Sequence, residues 1–120
     1  MVFYTVTELS EDGCVELGLS TCKAAVIALD KESGKRIWAS PLSAYSYSSP
    51  VAVYDENGNG WIIQAAGDGT ITLLEGLTGR VISMLEVEGT IEASPAVYND
   101  MLVIGTTGRK TSYIYGIRIQ

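Results

Sequence analysis

V-I-A-L-D-K-E-S-G-K-R-I-W, residues 26–38, reads as a strand, a tight turn and a returning strand. Residues 26–30 are apolar enough to form a buried strand. Residues 31–35 make the bend, where Gly34 is free to take positive φ, and Arg36-Ile37-Trp38 begins the return. Adding 45 to each number gives 71–75, 76–80 and 81–83, and the acid, the Ser/Thr-Gly-Lys/Arg bend and the apolar restart all recur. One supersecondary unit is used twice.

The chain has 120 residues, which bounds it to a single domain with a core of moderate size. A net charge of −6 and a pI near 4.5 argue against a nucleic-acid partner, and the Lys and Arg residues are scattered with no basic run. No apolar segment approaches 18 residues, so no membrane span is expected. Residues 1–7 show neither a basic region nor a cleavage site, so they do not read as a signal peptide. Cys14 and Cys22 stand eight apart in a polar loop, and two free thiols are favoured over a disulfide. A zinc site lacks ligands, since the chain has no histidine and no third cysteine.

Helix signals are almost absent, because no longer window keeps apolar residues at i, i+3, i+4 and i+7 without Gly, Ser or Pro. Short runs rich in Val, Ile, Thr and Tyr predict strands at about 1–7, 23–30, 36–40, 46–54, 61–66, 70–75, 81–87, 92–98, 101–107 and 112–119. The pattern is all-β. Ser49-Pro50 and Ser94-Pro95 are again 45 apart, each followed by a short apolar strand. A period near 40–50 residues with four strands per unit is that of a β-propeller blade.

S-S-P-V-A-V, a strand, G-D-G-T, I-T-L-L-E and G-L-T-G-R-V together resemble the repeat of PQQ-like (quinoprotein-like) β-propellers, as does A-A-V-I-A-L-D-K-E-S-G-K-R-I-W. The resemblance covers residues 24–120 well and 1–23 weakly. It implies a partial propeller of four-stranded antiparallel blades. Residues 1–45 are expected as an incomplete blade, 46–91 as a complete one and 92–120 as a second incomplete one. Such a chain is expected to be a C-terminal piece, about two and a half blades, of a longer protein. The family places a Trp between blades after this bend. Trp38 holds that position, and Ser83 replaces it in the next unit. Gly34, Trp38, Pro50, Gly79 and Pro95 are the marked repeat positions. Two open apolar faces of roughly 400 Å² each, worth about 10 kcal/mol apiece when covered, lead to an expected partner: the rest of a propeller, or another copy.

Ser-His-Asp and Cys-His catalysis cannot be built without histidine. Asp30 and Glu75 occupy equivalent bends and read as turn residues. Residues 105–111 depart from phosphate-loop spacing through Arg109 and precede a strand, so they read as a turn, like 67–69. Asp55, Asn57 and Asn59, with Gly60 at the sixth position, match the first half of a calcium loop. However, Ala66 stands where its closing glutamate belongs, and an Asn-Gly hairpin is the favoured reading. Binding of the quinone PQQ is what the resemblance invites, yet Cys14 and Cys22 are not the adjacent pair of the true dehydrogenases. Tyr45, Tyr47, Tyr54, Tyr98, Tyr113 and Tyr115, with Ser43, Ser46, Ser48 and Ser49, gather near the inner strands. They read as core filling with wet hydroxyls in preference to a ligand rim.

The expected function is a non-catalytic scaffold for protein interaction and assembly, with no cofactor. The rivals are a fragment of a quinone-dependent dehydrogenase and a ligand- or carbohydrate-binding sensor propeller. Relatives in the cell envelope and at the cell surface imply an extracytoplasmic setting.

Overall fold

The computed structural model describes residues 1–119. The elements follow as β1 (Val2–Val6), α1 (Glu11–Glu16), β2 (Ala24–Leu29), β3 (Arg36–Leu42), β4 (Val51–Tyr54), β5 (Gly60–Ala65), β6 (Thr70–Glu75), β7 (Val81–Glu86), β8 (Ala96–Tyr98), β9 (Met101–Thr106) and β10 (Tyr113–Arg118). Consecutive strands pair antiparallel within three sheets, β1-β2-β3, β4-β5-β6-β7 and β8-β9-β10.

The bend of residues 31–35 and its copy are the same structure in consecutive sheets. Gly34 and Gly79 sit at φ 74 and 75, and their N–H groups donate to the carbonyls of Asp30 and Glu75 at 2.9 and 2.8 Å. The repeat extends to a register shift between Ala28 and Leu29 that recurs between Leu73 and Leu74. Strand alternation then sends one set of side chains to each face. Ala24, Val26, Ala28, Trp38 and Leu42 of the first sheet pack with Ile62 and Leu74 of the second. On the opposite face of the second sheet, Ile63, Ala65 and Ile71 pack with Ile91, Leu102 and Ile104. Being covered on both sides makes β5 a near-continuous apolar run instead of an alternating one.

The sheets are arranged about a common axis. Ser48 donates its hydroxyl to the Ala93 carbonyl at 2.7 Å, and the Ser49 N–H donates to Ser94 Oγ at 2.8 Å. In each pair the partners are 45 positions apart, so equivalent points of successive units touch. That happens only beside the axis relating them. The inner strands β4 and β8 are also in contact. The fold is all-β, a partial β-propeller.

Two expectations are corrected. The strands expected from 46 and 92 begin at Val51 and Ala96, because the segments before them engage loops: Ser46 N–H donates to the Thr7 carbonyl and Ser48 N–H to Ser46 Oγ. A short helix, α1, stands where only loop was expected. Its N-terminus is capped by Ser10, whose Oγ accepts the Gly13 N–H at 3.1 Å, and Glu11 and Asp12 lie in its first turn.

Candidate functional site

Three features of the stack could carry function: the joint between the first two sheets, a buried polar network near the axis, and the open clefts at the rims. The joint is made by Trp38. Its ring lies on the bend of the second sheet, where a Cβ added to Gly79 would come 2.5 Å from the indole, and its Nε1–H donates to the Gly76 carbonyl at 2.9 Å. Phe3 packs beside it with ring centroids 5.8 Å apart. The equivalent Ser83 is exposed on β7, and the equivalent bend at Gly34 has nothing within 4 Å of an added Cβ. Pro50 and Pro95 precede β4 and β8 at the inner edge.

Gln64, the penultimate residue of β5, is fully buried and every polar atom of its side chain is engaged. Its Nε2 donates to Ser46 Oγ, the Ser48 carbonyl and the Ala65 carbonyl at 2.9, 3.0 and 2.9 Å, while Oε1 accepts the Thr5 hydroxyl at 2.6 Å. Ser46 completes the network by donating to the Ala65 carbonyl. The network ties β1 to β5 and to the segment before β4. Sequence reasoning placed Ser46 and Ser48 near the axis but missed Gln64, a lone polar residue inside an apolar run, which signals a buried partner. Thr106 Oγ1 is the one buried side-chain polar atom without a partner among the described residues.

Five of the six tyrosines expected in the core do not fill it, and the partly buried Tyr115 packs against it. Tyr54 and Tyr98 are 68 and 81% exposed, and Tyr45, Tyr47 and Tyr113 are exposed as well. Tyr45 and Tyr47 form a tilted pair with centroids 5.2 Å apart; the Tyr45 ring covers Gly67, and the Tyr47 hydroxyl donates to Glu8 Oε1 at 3.3 Å. The charge of Glu8 raises the Tyr47 phenol above its ordinary pKa. Among the described residues Ser43 reaches Asp68 Oδ2 at 3.4 Å, and Tyr115 reaches the Glu88 carbonyl.

The turn acids are held by their own bends. Asp30 accepts the N–H groups of Ser33 and Glu32, which lower its pKa in that order of strength. The Thr78 hydroxyl and then Arg80 do the same for Glu75. The Asp55 carboxylate accepts the Asn59 side-chain amide, which chiefly lowers its pKa, and the N–H groups of Asn59 and Asn57. The loop bearing Asp55, Asn57 and Asn59 is thus a hydrogen-bonded hairpin turn whose acid points inward to its own backbone. Residues 107–112 join β9 to β10, with Thr107 bridged to Thr90, and form a turn with no helix behind it.

The free-thiol reading is overturned: Cys14 and Cys22 are disulfide-bonded, and Cys14 is the buried residue of α1. The bond closes the loop between β1 and β2 against the end of the first sheet, where Leu9 N–H donates to the Lys23 carbonyl. It forms one wall of a cleft of about 880 Å³ whose other wall is the face of β6 and β7, with Thr70, Thr72, Val81 and Met84. A smaller cleft of about 430 Å³ lies at the opposite rim, between Phe3, the β4–β5 turn with Asn59, and Gly76 of the β6–β7 bend. The quinone does not fit the residues present, since the two cysteines are eight apart, one of them buried, and Asp30, Asp55 and Glu75 are each held within separate turns.

The family model described as outer membrane protein assembly factor BamB matches residues 22–115. The chain belongs to that family. It is a PQQ-like β-propeller repeat protein, and the match spans the second, third and later strands, including both Gly bends and Trp38. In fold it is similar to the crystal structure of BamB from Moraxella catarrhalis, with a TM-score of 0.57 at 17% identity over 99% of this chain and 36% of that one. Among curated proteins it is similar to the beta-alanine-activating enzymes of Homo sapiens, 31% identical over 80 residues, and of Mus musculus, 30% over 86. These alignments take in 65 and 70% of this chain but only 7 and 8% of the relatives' own length. No helix of the described residues is long and apolar enough to cross a membrane.

Proposed function

We propose that the chain is a non-catalytic propeller module that serves as a protein-interaction and assembly scaffold within a longer protein. The observation that carries this is the family match over residues 22–115, whose description is that of an assembly factor. The joints between the sheets support it: Trp38 and Gln64 join the first sheet to the second, and Ser48 and Ser49 join the second unit to the third. Exposed apolar side chains on the first and third sheets support a partner of the expected kind, the rest of a propeller or another copy. Val2 and Tyr4 on the first sheet and Tyr98, Val103 and Ile114 on the third are exposed. An oxidising, extracytoplasmic setting is favoured by the Cys14–Cys22 disulfide, which persists poorly in a reducing cytosol. A second setting, as a non-catalytic part of a longer enzyme, is favoured by the match to the beta-alanine-activating enzymes.

The test is affinity capture with the tagged chain from separate envelope and cytosolic extracts of the source cell. A saturable protein partner taken from the envelope extract is expected. Quinone-dependent substrate oxidation by the parent protein, or capture from neither extract, counts against the scaffold.

A further inference from the structure

The strands run antiparallel, so each sheet has two ends, and the chain's net charge of −6 is unequally divided between them. At the end bearing the Gly34 and Gly79 bends, acids are matched by bases, and the two ion pairs of the described residues, Arg80–Glu75 and Arg118–Asp100, both lie there. At the other end α1 carries Glu11, Asp12 and Glu16 with no basic residue in its last turn, and β7 closes on Glu86. None of these four is ion-paired among the described residues.

The 880 Å³ cleft opens at this acidic end. Its floor and walls are apolar at Val15, Pro41, Leu42, Val81 and Met84, and Val15 and Met84 are 68 and 59% exposed. Glu11 lines one side. Glu86 stands on the other, because it pairs with Thr70 and so shares the cleft-facing side of β7 with Met84, which pairs with Thr72. Lys23 is the single cation in the lining. The volume is within the range of about 300–1,000 Å³ typical of ligand sites.

We propose that this cleft is a docking groove for an extended segment of a partner protein in which an apolar side chain lies between lysines or arginines. The apolar side chain enters between the disulfide-closed loop and β7, and the flanking cations meet Glu11 and Glu86. Charge selects this occupant, since a second copy of a chain with net charge −6 is repelled from the same face. The proposal rests on the scaffold reading and names the surface and the chemistry it uses.

The test measures fluorescence anisotropy of labelled Lys-Leu-Lys-Leu-Lys peptide with the full 120-residue chain at low and high salt, beside Glu-Leu-Glu-Leu-Glu and Lys-Gly-Lys-Gly-Lys. The leucine-lysine peptide is expected to bind best. Glu86→Lys, on an exposed edge strand, should weaken it about three- to tenfold at low salt, and Glu11→Lys likewise. Glu56→Lys at the opposite end should leave binding unchanged. Equal loss with Glu56→Lys, equal binding of the glycine peptide, or no anisotropy change overturns the proposal. If a partner is still captured by the chain while the peptide fails, the scaffold stands and this surface falls.

Discussion

Alanine placed at Gly79 probes the joint between the first two sheets, and the same change at Gly34 supplies its internal control. Both glycines hold the same backbone conformation, at φ 75 and 74, so each substitution carries the same left-handed penalty of about 1–2 kcal/mol. Only their surroundings differ. At Gly34 a Cβ meets nothing within 4 Å, whereas at Gly79 it comes 2.5 Å from the Trp38 ring. The indole is wedged with its Nε1–H bonded to the Gly76 carbonyl, so it cannot yield without losing that bond. The clash therefore adds about 1–3 kcal/mol of overpacking. Gly34→Ala should cost about 1–2 kcal/mol and Gly79→Ala about 2–5. Trp38→Ala should cost about 3–5 kcal/mol for the lost aromatic packing, and in its background Gly79→Ala should fall to the Gly34→Ala value. Urea unfolding followed by far-UV circular dichroism measures all four variants. Equal losses for the two glycines, or strict additivity of Trp38→Ala with Gly79→Ala, would refute the reasoning.

Gln64→Leu should destabilise by about 2–4 kcal/mol, because the Thr5 and Ser46 hydroxyls lose their buried partner; urea midpoints unchanged from the parent would contradict this. Replacing both Cys14 and Cys22 by Ala should cost about 2–3 kcal/mol and abolish the α1 signal in amide exchange while the strands stay protected. Asp30, Asp55 and Glu75 are all held below their usual pKa in the fold, so their contribution is present above the unfolded values and is lost as pH falls through the folded ones. Stability should therefore decline below about pH 4, and Asp55→Asn should flatten part of that decline in a pH series of thermal melts.

The strands and their joints were legible because a two-residue period and a Ser/Thr-Gly-Lys/Arg bend are local signals. Residues 26–38 alone identify a strand, a bend and an indole, and the copy at 71–83 makes them a repeat. The helix α1 was not legible, since six residues make too few turns to show a 3.6-residue period; its sign was the Ser10-Glu11-Asp12 start. The disulfide was equally hidden, because pairing depends on where the loop folds back on the first sheet. The entries to β4 and β8 read as strand from their Tyr and Ser content, but their backbone and hydroxyl groups bond to loops and to the next unit near the axis. The tyrosines were misplaced for a related reason. Small and aliphatic residues, Ala24, Ala28, Ala65, Ile62 and Leu74 among them, fill most of the buried centre, and the rings that reach it are Trp38 with Phe3 beside it and the partly buried Tyr115. The cleft beside β7 is formed by three segments far apart in sequence, and no local pattern announces it.

The most direct measurement is a through-space proton NMR experiment on labelled chain, seeking contacts between the backbone of Ser48-Ser49 and that of Ala93-Ser94. Successive sheets turning about one axis predict cross-peaks linking these residues, 45 apart in sequence. Their absence, with the strands otherwise assigned and paired as described, would contradict a propeller arrangement.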